Sequence, residues 1–153
     1  MVMNFKGAQV EQTNSVEYEP ISKYMTKVKD LYTFSPDMEI ADAINIMLEK
    51  RISGGPVLND KRELVGVLSE KDCLKILVQS SYHNIPSGKG KVSDYMSSNV
   101  KTLDINTNVV DCANEFLSTY YRRFPVTENG ILKGQISRRD IMKAAKNIKS
   151  STW

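Results

Sequence analysis

The chain has 153 residues, 41% of them hydrophobic and 25% charged, and a net charge of +3. That length suits one ordinary domain or two small units sharing a core, and so small a charge argues against nucleic acid as the partner. No apolar run approaches the roughly 20 residues of a membrane-spanning helix, and MVMNFKGAQVEQTNS holds no stretch of signal-peptide length, so the expected compartment is the cytosol.

Residues 1–19 are polar and aperiodic and are expected to be flexible. After Pro20, ISKYM reads as a short helical lead-in and LYTF as a brief strand. Ser35-Pro36-Asp37 signals a helix start, and Ile40, Ile44, Met47 and Leu48 follow at helical spacing. GPVLN, a turn and LVGVLS then read as a hairpin, closed by a helix over EKDCLKILVQ. SSYHNIPSGKGK has the Ser, Asn, Pro and Gly content of a connector. Beyond it the series returns: VSDYM, VKTL, a helix carrying Val109, Ala113, Phe116, Leu117 and Tyr120, the hairpin FPVTENGILKGQIS, and the helix RRDIMKAAKNI.

The return is residue by residue. SKYMT at 22–26 parallels SDYMS at 93–97, an offset of 71. Thr33, Asp42, Asn45, Leu48 and Pro56-Val57 come back 69 residues later as Thr102, Asp111, Asn114, Leu117 and Pro125-Val126. Gly66, Ser69, Asp72 and Lys75 come back 68 later as Gly134, Ser137, Asp140 and Lys143. The offset drifts only at turn-like stretches, so one unit is present twice: 20–80 and 91–148, joined by a linker at 81–90 and followed by a tail at 149–153. Each is an α/β (α+β) unit of lead-in, strand, helix, strand, strand, helix. Neither buries enough apolar surface to be comfortably stable alone, which predicts two sheets packed face to face across a pseudo-twofold axis.

The motif kept most strictly is Gly-x-x-Ser-x-x-Asp, GVLSEKD at 66–72 and GQISRRD at 134–140. At a strand-to-helix junction Ser followed three later by Asp is a capping box. The same end of a helix offers free N–H groups and partial positive charge to a phosphate, and an Asp one turn in accepts from vicinal hydroxyls. A Gly upstream is either a tight spot in the hairpin or room for a ligand against the backbone. The residues leave both readings open.

The doubled SKYM/SDYM lead-in, the Pro-Val strand and Gly-x-x-Ser-x-x-Asp before a final helix together resemble a tandem pair of CBS (cystathionine-β-synthase) domains, over about residues 20–148. The resemblance implies two βαββα units packed sheet to sheet, modules that commonly dimerise into a flat disc, and clefts that bind AMP, ADP, ATP or S-adenosylmethionine. It implies that Asp72 and Asp140 hold ribose hydroxyls and that Ser69 and Ser137 meet phosphate. It also implies that Thr33 and Thr102, with backbone around Gly55-Pro56 and Phe124-Pro125, cradle adenine.

The copies differ in charge. Arg138-Arg139 stand between Ser and Asp in the second copy, with Arg122-Arg123 before Phe124; Glu70-Lys71 and Ser53-Gly54 hold the matching places in the first. From Tyr121 to Lys149 eight basic residues face two acidic ones, a net +6 that leaves −3 elsewhere. Charge-assisted bonds to phosphate favour the second site. The bland alternative is a solvated basic face.

Other chemistry finds no footing. PSGKGK lacks P-loop spacing, the single histidine, His83, falls in the connector, and Cys73 and Cys112 follow no metal or disulfide pattern and read as buried thiols. The expectation is therefore a regulatory module without catalytic residues, metal or catalytic cofactor. It would take an adenosine nucleotide as regulatory ligand, form a homodimer, and signal to a separate regulated protein, with no membrane or nucleic acid involved. The rival expectation is a dimerisation or docking piece that binds no nucleotide.

Overall fold

The computed structural model describes residues 15–83 and 89–148. Most of the segment expected to be flexible, the middle of the linker and the tail lie outside these residues. In chain order the elements are β1 (Thr26–Lys27), α1 (Ile40–Lys50), β2 (Gly54–Leu58), β3 (Leu64–Ser69) and α2 (Glu70–His83). Then follow α3 (Val92–Tyr95), β4 (Leu103–Asp104), α4 (Val109–Ser118), β5 (Arg123–Glu128), β6 (Ile131–Ser137) and α5 (Arg138–Lys146). The mixed α/β character matches the sequence expectation, but LYTF is not a strand: it contributes a single bridge at Phe34, and the strand before α1 is Thr26–Lys27.

Two compact units emerge, and they cross the repeat boundaries. Of the described residues, a central unit comprises 31–83 and 89–101 with 129–132; a terminal unit comprises 15–30, 102–128 and 133–148. Each repeat thus gives its lead-in to the body of the other.

In the central unit β2 and β3 pair antiparallel, with Gly54 opposite Ser69 and Val57 opposite Gly66. Phe34 bridges Val57 in parallel, and Ser97, from the second lead-in, bridges Val67 on the far edge of β3. The core gathers Phe34, Ile40, Ala43, Met47, Val57, Leu68, Ile76, Val92 and Tyr95. Helix α1 buries Ile40, Ala43 and Met47, positions that fall on one helical stripe. It begins at Ile40, not at Ser35-Pro36-Asp37: those residues form a turn, closed by Met38 N–H donating to the Ser35 carbonyl at 3.2 Å. It ends at Arg51, in the left-handed conformation at φ 54°. Helix α2 continues to His83, past the first residues of the connector.

In the terminal unit the strand order is β1-β6-β5-β4, with β1 antiparallel to β6 and β4 parallel to β5. Ile21, Leu103, Cys112, Phe116, Phe124, Val126 and Ile136 form its core. Asn108 caps α4, its side chain accepting from Asp111 N–H at 2.8 Å. The last residues of the N-terminal segment, 15–19, fall within the described residues. Val16–Tyr18 make a single turn, and the Glu19 carbonyl accepts from Val109 N–H at 3.0 Å.

The two glycines of the repeated motif explain the exchange of lead-ins. A Cβ on Gly66 would stand 2.6 Å from Met96 Sδ and 3.0 Å from the Ser97 carbonyl. A Cβ on Gly134 would collide with the Thr26 carbonyl and stand 2.9 Å from Met25 Sδ. The glycines admit a neighbouring backbone, so the tight-spot reading holds for both.

Candidate functional site

In the central unit the residues singled out from the sequence meet at one end of the small sheet. Phe34 N–H donates to the Pro56 carbonyl at 2.9 Å and Leu58 N–H to the Phe34 carbonyl at 2.8 Å, which lays half-buried Thr33 beside Gly55-Pro56. A Cβ on Gly55 would stand 2.6 Å from the Tyr32 carbonyl, so only glycine lets these backbones come so close. Gly54 pairs with Ser69, and Glu70 N–H, opening α2, donates to the Ser53 carbonyl at 2.9 Å. Thr33, Gly55, Pro56, Ser69 and Asp72 are thereby gathered into one corner.

Ser69 and Asp72 cap each other. Asp72 N–H donates to Ser69 Oγ at 3.2 Å, and Asp72 Oδ2 accepts from Ser69 N–H at 3.0 Å and from Ser69 Oγ at 2.9 Å. The other oxygen is occupied as well: Oδ1 accepts from Lys75 Nζ at 3.1 Å and from Ser97 Oγ at 3.3 Å. Asp72 is only 5% exposed, and its carboxylate is fully partnered.

The terminal corner repeats the plan. Exposed Thr102 leads into β4, whose Leu103 pairs with Val126, so Thr102 lies next to Pro125. Arg138 N–H donates to the Arg122 carbonyl at 3.1 Å, the counterpart of the Glu70–Ser53 bond. Asp140 N–H donates to Ser137 Oγ at 3.1 Å and Ser137 N–H to Asp140 Oδ2 at 2.9 Å, a complete capping box. Asp140 Oδ1 has no hydrogen-bond partner among the described residues, and Asp140 is half-buried where Asp72 is buried.

Phe124 offers only its backbone to this corner. Its ring lies in the core, 4.7 Å from the Phe116 ring and 5.5 Å from that of Tyr121. Arg138 is tied down through Nε, which donates to the Tyr121 carbonyl at 3.1 Å. Arg123 and Arg139 are exposed.

Neither thiol is poised for chemistry. Burial, aided by Glu115 and Asp140, pushes Cys112 up to about 12, and burial with Asp72 and Glu70 raises Cys73. Among the described residues no group of three or more His, Cys, Asp or Glu side chains is placed to hold a metal, and no helix is long and apolar enough to cross a membrane. Sequence reasoning missed Ser97. The signal was there: Ser97 and Thr26 close the repeated lead-ins SDYMS and SKYMT.

Comparison with known proteins bears on this plan. The CBS domain family model matches residues 21–79 and 92–147. CBS domain-containing protein CBSX1, chloroplastic, of Arabidopsis thaliana is 30% identical over 86% of this chain, which covers 66% of that protein. CBSX2, chloroplastic, of the same plant is 30% identical over 95% of the chain, covering 73% of its length. A crystal structure of CBSX2 in complex with AMP superposes with a TM-score of 0.74 at 32% identity, covering 85% of this chain and 98% of that one. A structure of CbpB in complex with c-di-AMP reaches a TM-score of 0.76 over 92% of each chain at 15% identity, a likeness of fold alone. An inosine-5'-monophosphate dehydrogenase of Staphylococcus haemolyticus is 32% identical over 73% of this chain, which covers 22% of that enzyme. With the family model matched twice, over most of its length, this chain belongs to the CBS-domain family and carries two CBS domains in tandem.

Proposed function

We propose that the chain is a regulatory module that binds an adenosine ligand (AMP, ADP, ATP or S-adenosylmethionine) and passes the ligand state to a separate regulated protein, without chemistry of its own. The observation that carries this reading is the terminal corner: a capped helix start whose Asp140 has one carboxylate oxygen unpartnered among the described residues, beside Ser137 and the exposed Arg123 and Arg139. A free carboxylate oxygen suits ribose hydroxyls, Ser137 and the guanidiniums suit phosphate, and Thr102 with the Phe124-Pro125 backbone suits adenine. In the central corner Asp72, Ser69, Thr33, Gly55 and Pro56 have the matching roles. The AMP complex of the similar protein CBSX2 supports the ligand class.

The output is linkage: a ligand that prefers one arrangement of the module shifts its population by the difference in affinity. Thermal unfolding tests the reading. A ligand at 100 times its Kd stabilises by about 2.7 kcal/mol, a rise of roughly 5 °C or more at this size. No shift with any of the four ligands would contradict it.

A homodimer belongs to the same proposal. Leu48 and Leu117, equivalent in the two repeats, are 72% and 85% exposed, and the equivalent pair Leu74 and Met142 is exposed too. Between α1 and α2 runs an apolar groove of about 700 Å³ lined by Met47, Leu48, Cys73, Leu74 and Leu77. Apolar helix faces repeated in this way suit an isologous contact with a second copy. They also favour the rival reading, a docking module without nucleotide, which predicts a dimer but no thermal shift. The two free cysteines fit the cytosol as its compartment.

A further inference from the structure

A carboxylate has about four lone-pair sites, and at Asp72 four donor atoms fill them: Ser69 N–H and Oγ on Oδ2, Lys75 Nζ and Ser97 Oγ on Oδ1. Ser97 does not come from the corner's own repeat. It is fixed by two backbone bonds with Val67, each 2.9 Å, and by the close approach that Gly66 allows. The sheet, not Asp72, sets its place. The matched residue in the terminal unit is Thr26, paired with Gln135, and there Asp140 Oδ1 is left without a partner among the described residues.

We propose that Ser97, seconded by Lys75, holds the central corner shut against ribose. The chain then takes one adenosine ligand, at the terminal corner, and a second only where Ser97 lets go of Asp72. This rests on the adenosine reading above. Vicinal hydroxyls need two free acceptor sites on one carboxylate; among the described residues Asp140 keeps them and Asp72 has none. Ser97 acts through Asp72 and is a positioning residue.

Calorimetric titration with AMP in a D140A background isolates the central corner. There S97A is expected to tighten AMP binding about tenfold, the worth of one hydrogen bond to a charged group. S97T, which restores the hydroxyl, is expected to return it to the D140A level. No gain in S97A, or an equal gain in S97T, overturns the proposal. A ligand-free measurement keeps the latch separable from the adenosine reading: a double-mutant cycle of S97A and D72N in denaturant unfolding. Non-additive midpoints support the Ser97–Asp72 contact; additive ones overturn it. Failure of the wild-type chain to bind AMP would remove the adenosine reading and leave the cycle to judge the latch.

Discussion

Gly66 lies so close under Met96 that a Cβ would meet the sulfur at 2.6 Å. Gly134 stands in the same relation to Met25, with the Thr26 carbonyl closer still. The side chain of Met96 can move; the carbonyl over Gly134 cannot without shifting β1. Gly66→Ala is therefore expected to destabilise by about 1–3 kcal/mol, the range for overpacking, and Gly134→Ala by more. Denaturant midpoints check the order, and equal small effects would contradict the close approach.

Ser137→Ala removes the acceptor for Asp140 N–H and with it half of the α5 capping box. A cost of about 1 kcal/mol is expected for the lost cap. Because the same hydroxyl is assigned to phosphate, AMP affinity should fall further than adenosine affinity. Parallel titrations with the two ligands read that difference.

Leu48→Lys and Leu117→Lys alter side chains that are largely solvent-exposed, so each should leave the unfolding midpoint of the monomer within about 0.5 kcal/mol. If these faces hold the homodimer together, the double variant sediments as a monomer. A double variant that keeps the dimer mass would place the contact elsewhere.

Cys112 gives a pH signature. Its thiol is raised from an ordinary 9.0 to about 12, first by burial and then by Glu115 and Asp140. The folded chain holds this proton more tightly than the unfolded one, so the stability it contributes is whole below pH 9 and is lost as pH rises towards 12. Cys112→Ala should flatten the alkaline fall in unfolding free energy, even though the cavity lowers stability at neutral pH. An unchanged alkaline slope would contradict the buried thiol.

Much of this fold is legible in the sequence because the same pattern is written twice. Alternation marks β3 and β6, helical spacing marks α1 and α4, and Ser-x-x-Asp marks the starts of α2 and α5. The exchange of lead-ins is not legible, since it joins Met96 to Gly66 and Met25 to Gly134 through a shape that no local periodicity encodes. Periodicity also groups Leu48 with Ile40 and Met47, although Leu48 faces outward: an apolar stripe does not say which edge meets the core and which awaits a partner. In the corners the residue types and spacing are legible, but the difference between a saturated Asp72 and an Asp140 with one oxygen unpartnered among the described residues is not. It depends on Ser97, which lies 25 residues beyond Asp72.

The most direct measurement is calorimetric titration with AMP of the wild-type chain, Asp72→Ala and Asp140→Ala. Asp140→Ala is expected to weaken binding by at least about tenfold, as loss of a charged acceptor does, while Asp72→Ala leaves the affinity nearly unchanged. Loss of AMP binding in Asp72→Ala alone would contradict the account.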